Sequence, residues 1–173
     1  MKPEDFAGRE PEFLIEEYFA GQTKAWGIFQ DRFGTLRRQF EVDIEGTWDG
    51  NTLTLVEDFL YDDGETEQRI WRIKKLADHL YEGEADGVIG TAKGRAYGNA
   101  LNWTYGFALV VGERAWNVTF DDWMFLQSDG VLINRAEVSK FGIKLGEVTI
   151  AFRKDAALKK ADALSDYATI AAE

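Results

Sequence analysis

The chain contains no cysteine, and His79 is its only histidine. The first absence rules out a disulfide framework, a thiol nucleophile and a lipidated cysteine within this sequence. The second rules out a histidine-rich metal site, and a Ser-His-Asp triad would have to pass through a residue beside a turn. Proline occurs only as Pro3 and Pro11, so no proline-rich linker divides the rest of the chain. Basic charge is scarce: 20 Lys and Arg face 31 Asp and Glu, for a net charge of −11. The basic footprint that nucleic acid or anionic lipid would require is therefore missing. Long apolar runs are missing as well. No stretch reaches the length of a membrane-spanning helix. The opening MKPEDFAGREPEFLIEEYFAG is interrupted by acids and does not read as a signal peptide. These absences predict a cytoplasmic protein that binds neither metal nor cofactor.

What the chain has is aromatic and strand-forming. Of 173 residues, 45% are apolar and 14% aromatic, including twelve Phe and six Trp. This is the composition of a single globular domain, residues 1–173, with a substantial core. Pro11 and Gly21 bracket a short N-terminal helix over 11–20, and Asp155 opens a C-terminal helix over 155–171. Between them lie ten runs of alternating residues: 23–31, 35–48, 52–61, 65–75, 79–86, 89–98, 100–111, 114–127, 131–140 and 143–154. Short loops, most with glycine, separate them, which signals antiparallel hairpins. Connections this short forbid crossovers, and closure removes two unpaired edges. The expected fold is an all-β, antiparallel up-and-down barrel of about ten strands, lipocalin-like, over 23–154. A two-sheet sandwich would need longer connections.

Alternation also identifies the inner face. In 36–48 the even row, from Leu36 to Trp48, is mostly apolar and the odd row polar. A two-residue Asp49-Gly50 turn would set Val42 opposite Glu57 and Phe40 opposite Phe59. A three-residue Asp62-Asp63-Gly64 loop sets Leu55 opposite Trp71 and Glu57 opposite Arg69. A Gly112-Glu113 turn pairs Tyr105 with Phe120 and Trp103 with Asp122. A Ser128-Asp129-Gly130 loop pairs Met124 with Asn134. An Arg32-Phe33-Gly34 loop in the first hairpin would add Trp26 and Ile28 to the interior. The candidate cavity lining is thus Trp26, Phe40, Glu57, Arg69, Trp71, Trp103, Tyr105, Phe120, Asp122 and Asn134.

The polar members of this set admit two readings. Glu57 and Arg69 form either a register-fixing ion pair or the polar anchor of a pocket, where arginine can grip a carboxylate head group. Asp122 either accepts a hydrogen bond from the Trp103 or Trp26 indole or acts as a general acid or base. The pairs Asp62-Asp63 and Asp121-Asp122 lack the ligand spacing of a calcium loop. GVIGTAKGRAYGNA lacks the strand–helix context of a phosphate loop and reads as a bulged strand pair.

The segments WGIFQDRFG (26–34), EDFLYDDGETEQRIWRI (57–73), YEGEADGVIGTAKGRAYGNALNW (81–103), FDDWMFL (120–126) and NRAEVSKFG (134–142) resemble the proteobacterial domain-of-unknown-function family 3833, over about residues 13–153. The resemblance implies no reaction, ligand or catalytic residue. Many such proteins look like envelope lipoproteins with a signal sequence and an acylated cysteine, and this sequence has neither. The residues themselves predict a binder of a small apolar or amphiphilic ligand. The alternatives are a cofactor-free isomerase or lyase using Asp122 or Glu57, and a partner-binding barrel with a filled interior.

Overall fold

The computed structural model describes residues 1–154 other than residue 112; the helix expected over 155–171 lies outside the described residues. Ten strands follow one another: β1 (Gly21–Asp31), β2 (Leu36–Trp48), β3 (Thr52–Tyr61), β4 (Thr66–Ala77), β5 (Leu80–Glu84), β6 (Val88–Tyr97), β7 (Ala100–Val111), β8 (Arg114–Leu126), β9 (Leu132–Lys140) and β10 (Ile143–Lys154). Each pairs antiparallel with the next, and β1 closes on β10 to complete a barrel. The connections that lie wholly within the described residues are tight loops, as an up-and-down path requires. Gly34, Gly64 and Gly130 take positive φ in their loops, where residues with a Cβ are strained.

One end of the barrel is closed by the N-terminal segment. A 3-10 turn, Pro3–Phe6, lies on the outer wall, where Phe6 packs against Trp123 and Phe125 at ring distances of 5.9 and 5.5 Å. The chain then turns under the barrel. The helix expected over 11–20 shrinks to one turn, α1 (Ile15–Tyr18). Its neighbours are held by tertiary contacts instead. The Phe13 amide donates to the Gly98 carbonyl at 2.7 Å, and Phe13, Ile15 and Phe19 are almost fully buried among Ile44, Leu53, Leu101 and Leu132. Those side chains form the floor. Glu16 is buried there too, paired with Lys75 and accepting from the Tyr81 hydroxyl at 3.0 Å. Burial opposes its charge, but Lys75, a backbone hydrogen bond and the Tyr81 hydroxyl together outweigh it and hold its carboxyl below the usual range.

Two registers differ from expectation. The β1–β2 loop pairs Gln30 with Leu36, consistent with the three-residue loop. One residue later Arg37 is bulged out, so that Phe29 faces Arg38. The slip reverses the parity of β1. Thr23, Ala25, Gly27 and Phe29 point inward; Ile28 does not, and Trp26 is 40% exposed on the outer wall. Phe40 makes the same demand, because its ring occupies the space where a Cβ on Gly27 would sit. At the β2–β3 turn, the Asp49 carboxylate accepts from the Asn51 and Thr52 amides and extends the loop. Trp48 therefore pairs with Leu53, Ile44 with Glu57, Val42 with Phe59 and Phe40 with Tyr61. A shift of two residues preserves the face, so Glu57 still points inward.

Candidate ligand cavity

Above the floor the barrel encloses a cavity of about 1030 Å³. Ile15 and Phe19 touch its lower end, and Arg37, Arg38, Asp63 and Glu65 belong to its rim. The mouth therefore lies at the end bearing the β1–β2 and β3–β4 loops. Phe40, Glu57, Arg69, Trp71, Trp103, Tyr105, Phe120, Asp122 and Asn134 all line it; Trp26 does not and instead borders a shallow outer groove with Ile28 and Leu60.

The aromatic wall is continuous. Tyr105 stacks on Phe120 at 5.1 Å, and the ring planes differ by 3°. Trp71 meets Tyr105 edge-on at 5.6 Å and approaches Trp103 at 6.3 Å. Both arrangements are favoured by the ring quadrupoles.

The polar groups are layered along β3 and β4. The pairs Leu55–Trp71, Glu57–Arg69 and Phe59–Glu67 succeed one another from floor to mouth. Glu57 and Arg69 face the same interior, but they do not form the direct ion pair anticipated. Arg69 Nη2 instead donates to Glu67 Oε1 at 2.7 Å, two residues along the same strand. Its guanidinium also lies 5.1 Å from the ring centres of Phe59 and Phe107. Glu67 is fixed further by the Tyr61 hydroxyl, which donates to Oε2 at 2.8 Å. Among the described residues Glu57 makes no hydrogen bond and no ion pair. Its remaining surface faces the cavity, and burial pushes its carboxyl up to about 7, against the attraction of Arg69.

Across the cavity, Asp122 is only 8% exposed. Asn134 donates to its Oδ1 and to the Trp123 carbonyl, the latter at 3.1 Å. The donor is therefore an amide, not the indole of Trp103 or Trp26. Burial pushes the Asp122 carboxyl up to about 7, against the hydrogen bond from Asn134. Burial also raises the Tyr105 hydroxyl well above its usual value, and nearby Asp122 adds to the effect. Among the described residues no cluster of three His, Asp or Glu side chains is arranged to hold a metal, and no helix is long and apolar enough to cross a membrane. Asn134→Ala is expected to lower the free energy of unfolding by about 2 kcal/mol, because buried Asp122 and the part-buried Trp123 carbonyl lose their donor. Urea titration of the variant checks this, and an unchanged midpoint would contradict it.

Glu67 is the partner of Arg69 that residue patterning missed. It has the same parity as Arg69, so alternation along one strand contained the signal. Cross-strand pairing alone directed attention to Glu57.

The family model described as "Protein of unknown function (DUF3833)" matches residues 1–154. The chain belongs to this family. The match includes the floor-forming N-terminal segment as well as the barrel. A search among curated proteins found no match. Among solved structures, the chain is similar to the S-type phycobiliprotein lyase CPES from Guillardia theta, with a TM-score of 0.59 and 8% identity. The similarity covers 81% of this chain and 90% of that one. At that identity the likeness concerns the fold, and it agrees with the lipocalin-like barrel of this DUF3833 chain.

Proposed function

We propose that the protein binds a small apolar or amphiphilic molecule inside the barrel. The observation that carries this reading is the cavity itself, about 1030 Å³, floored at one end and lined by aromatic rings with a few placed polar groups. Ligand sites commonly combine such walls with sparse polar anchors. A barrel of ten strands encloses space that its own side chains need not fill. An interior this open speaks against the filled, purely structural barrel.

Trp71 and Trp103 line the cavity, so an occupant changes their emission. Titration with a neutral apolar dye and with single-chain amphiphiles is expected to give a saturable change in tryptophan fluorescence at one ligand per chain. No saturable response to any of them would end the carrier reading.

A second reading rests on one observation. Glu57 and Asp122 both hold their protons to about pH 7 within one cavity, which suits proton transfer near neutrality. That reading is a cofactor-free isomerase or lyase. The similar barrel from Guillardia theta carries the name of a lyase, but at 8% identity no residue role transfers. Turnover that is lost in Glu57→Gln or Asp122→Asn would favour the enzyme over the carrier.

A further inference from the structure

Each cation that reaches the cavity is already matched by acid. Arg69 holds Glu67. At the rim Arg38 pairs with Asp63 at 3.1 Å and with Glu65, while Arg37 pairs with Asp31 at 2.6 Å. No arginine remains free among these to receive an anionic head group, which removes the reason to expect a carboxylate ligand. The unmatched charge is of the other sign. Glu57 has no partner among the described residues. Asp122 is more than nine-tenths buried and uses only Oδ1, so that Oδ2 meets no donor there. Both carboxyls line the cavity, and Asp122 lies close enough to Glu57 to oppose its ionisation.

The surrounding rings suit a cation. The face of an aromatic ring attracts positive charge, most strongly when water is excluded. Arg69 shows this on the spot by lying over Phe59 and Phe107. Tyr105, Phe120, Trp71 and Trp103 offer further rings beside the two carboxyls, and none of these four holds a cation among the described residues.

We propose that the cavity selects an amphiphile with a cationic amine head group, received by Glu57 and Asp122 among these rings while its apolar chain lies along the aromatic wall. This rests on the binding reading above and names its ligand class. Such a head group gives each carboxylate the counter-charge that the protein withholds. A fatty acid would instead add a third unmatched anion to the cavity.

The test is displacement of a neutral apolar dye at pH 8 by dodecylamine, dodecanol and dodecanoate, each kept below its micellar concentration. The three share a chain and differ in head-group charge. Dodecylamine is expected to bind about tenfold tighter than dodecanol, and dodecanoate more weakly than either. Glu57→Gln is expected to remove most of that preference, read as the ratio of amine to alcohol affinity. Asp122→Asn is expected to act the same way. Asp58→Asn removes a carboxylate from the outer wall and serves as the control for net charge; it is expected to change nothing. Dodecanoate binding as well as dodecylamine would overturn the inference. So would an equal loss of preference in Asp58→Asn and Glu57→Gln. Dye and dodecanol binding without an amine preference overturns the ligand class alone. Absence of any dye binding overturns the carrier reading and this inference with it.

Discussion

Glu57→Gln is expected to stabilise the folded protein at pH 8 by about 3 kcal/mol. The Glu57 carboxyl titrates at about 7 in the folded chain instead of its ordinary 4.5, because burial penalises the anion more than Arg69 rewards it. Between those values the folded state keeps a proton that the unfolded chain has released. Stability is therefore greatest below the unfolded value and falls as the pH rises through the folded one. Asp122 acts in the same direction, from 3.8 to about 7. The unfolding free energy of the native sequence should thus decline from pH 5 to pH 8, and Glu57→Gln should remove about half of the decline. Arg69→Ala should do the opposite at pH 8. It leaves Glu57 and Glu67 facing each other without a counter-charge, at a cost of about 1 kcal/mol, because Glu67 is exposed at the mouth and solvent screens the broken pair. Urea unfolding at pH 5, 6.5 and 8 measures all three proteins. Parallel pH profiles for the native chain and Glu57→Gln would refute the electrostatic account. The cost borne by Glu57 also fits the proposed ligand, since a site left unsatisfied in the empty protein commonly lowers stability in favour of function.

The second large effect lies at the floor. An added Cβ on Gly46 would stand 1.7 Å from the Phe19 carbonyl oxygen and 2.7 Å from its carbon. Those are backbone atoms and cannot rotate aside as a side chain would. Gly46→Ala must therefore lift the segment around Phe19, which is 2% exposed, off the barrel end. The expected loss is about 3 kcal/mol, at the upper end for an overpacked core site. Residues 13–19 should become accessible to proteases in the same variant. Gly106→Ala is the comparison, because its nearest neighbour would be Ile89 Cβ at an ordinary 3.4 Å. Similar stability of the two alanine variants would show that the floor is not seated on Gly46.

The barrel was legible because its signals are local. Ten alternating runs and their turn residues lie within reach of each other along the chain. The Asp62-Asp63-Gly64 loop sets the β3–β4 register by its own geometry, and Leu55–Trp71 and Glu57–Arg69 follow. The β8–β9 pairing, Met124–Asn134 included, follows from its loop in the same way, and Trp103 pairs with Asp122 across β7 and β8. Trp26 was misplaced because one bulged residue, Arg37, reverses the parity of a whole strand. Nothing in the alternation of β1 announces that bulge. It is settled by the fit of Phe40 over Gly27, a contact between strands. The N-terminal helix was overestimated for a related reason. Its apolar residues give only an incomplete helical stripe, and they are buried against the barrel floor, where a single turn suffices.

The sequence by itself determined the strand order, the closure into a barrel, the aromatic inner face and the presence of carboxylates on it. These depend on the period of two along each strand and on turn chemistry, both carried by neighbouring residues. Tertiary structure decided whether the interior is filled, which end is closed, and which charge meets which. Each of those outcomes is a competition in space. The N-terminal segment takes one end of the barrel, and Glu67 takes the guanidinium that cross-strand pairing would assign to Glu57. Glu57 is left facing the cavity without a partner because a second acid, on the same strand as Arg69, lies closer to the guanidinium.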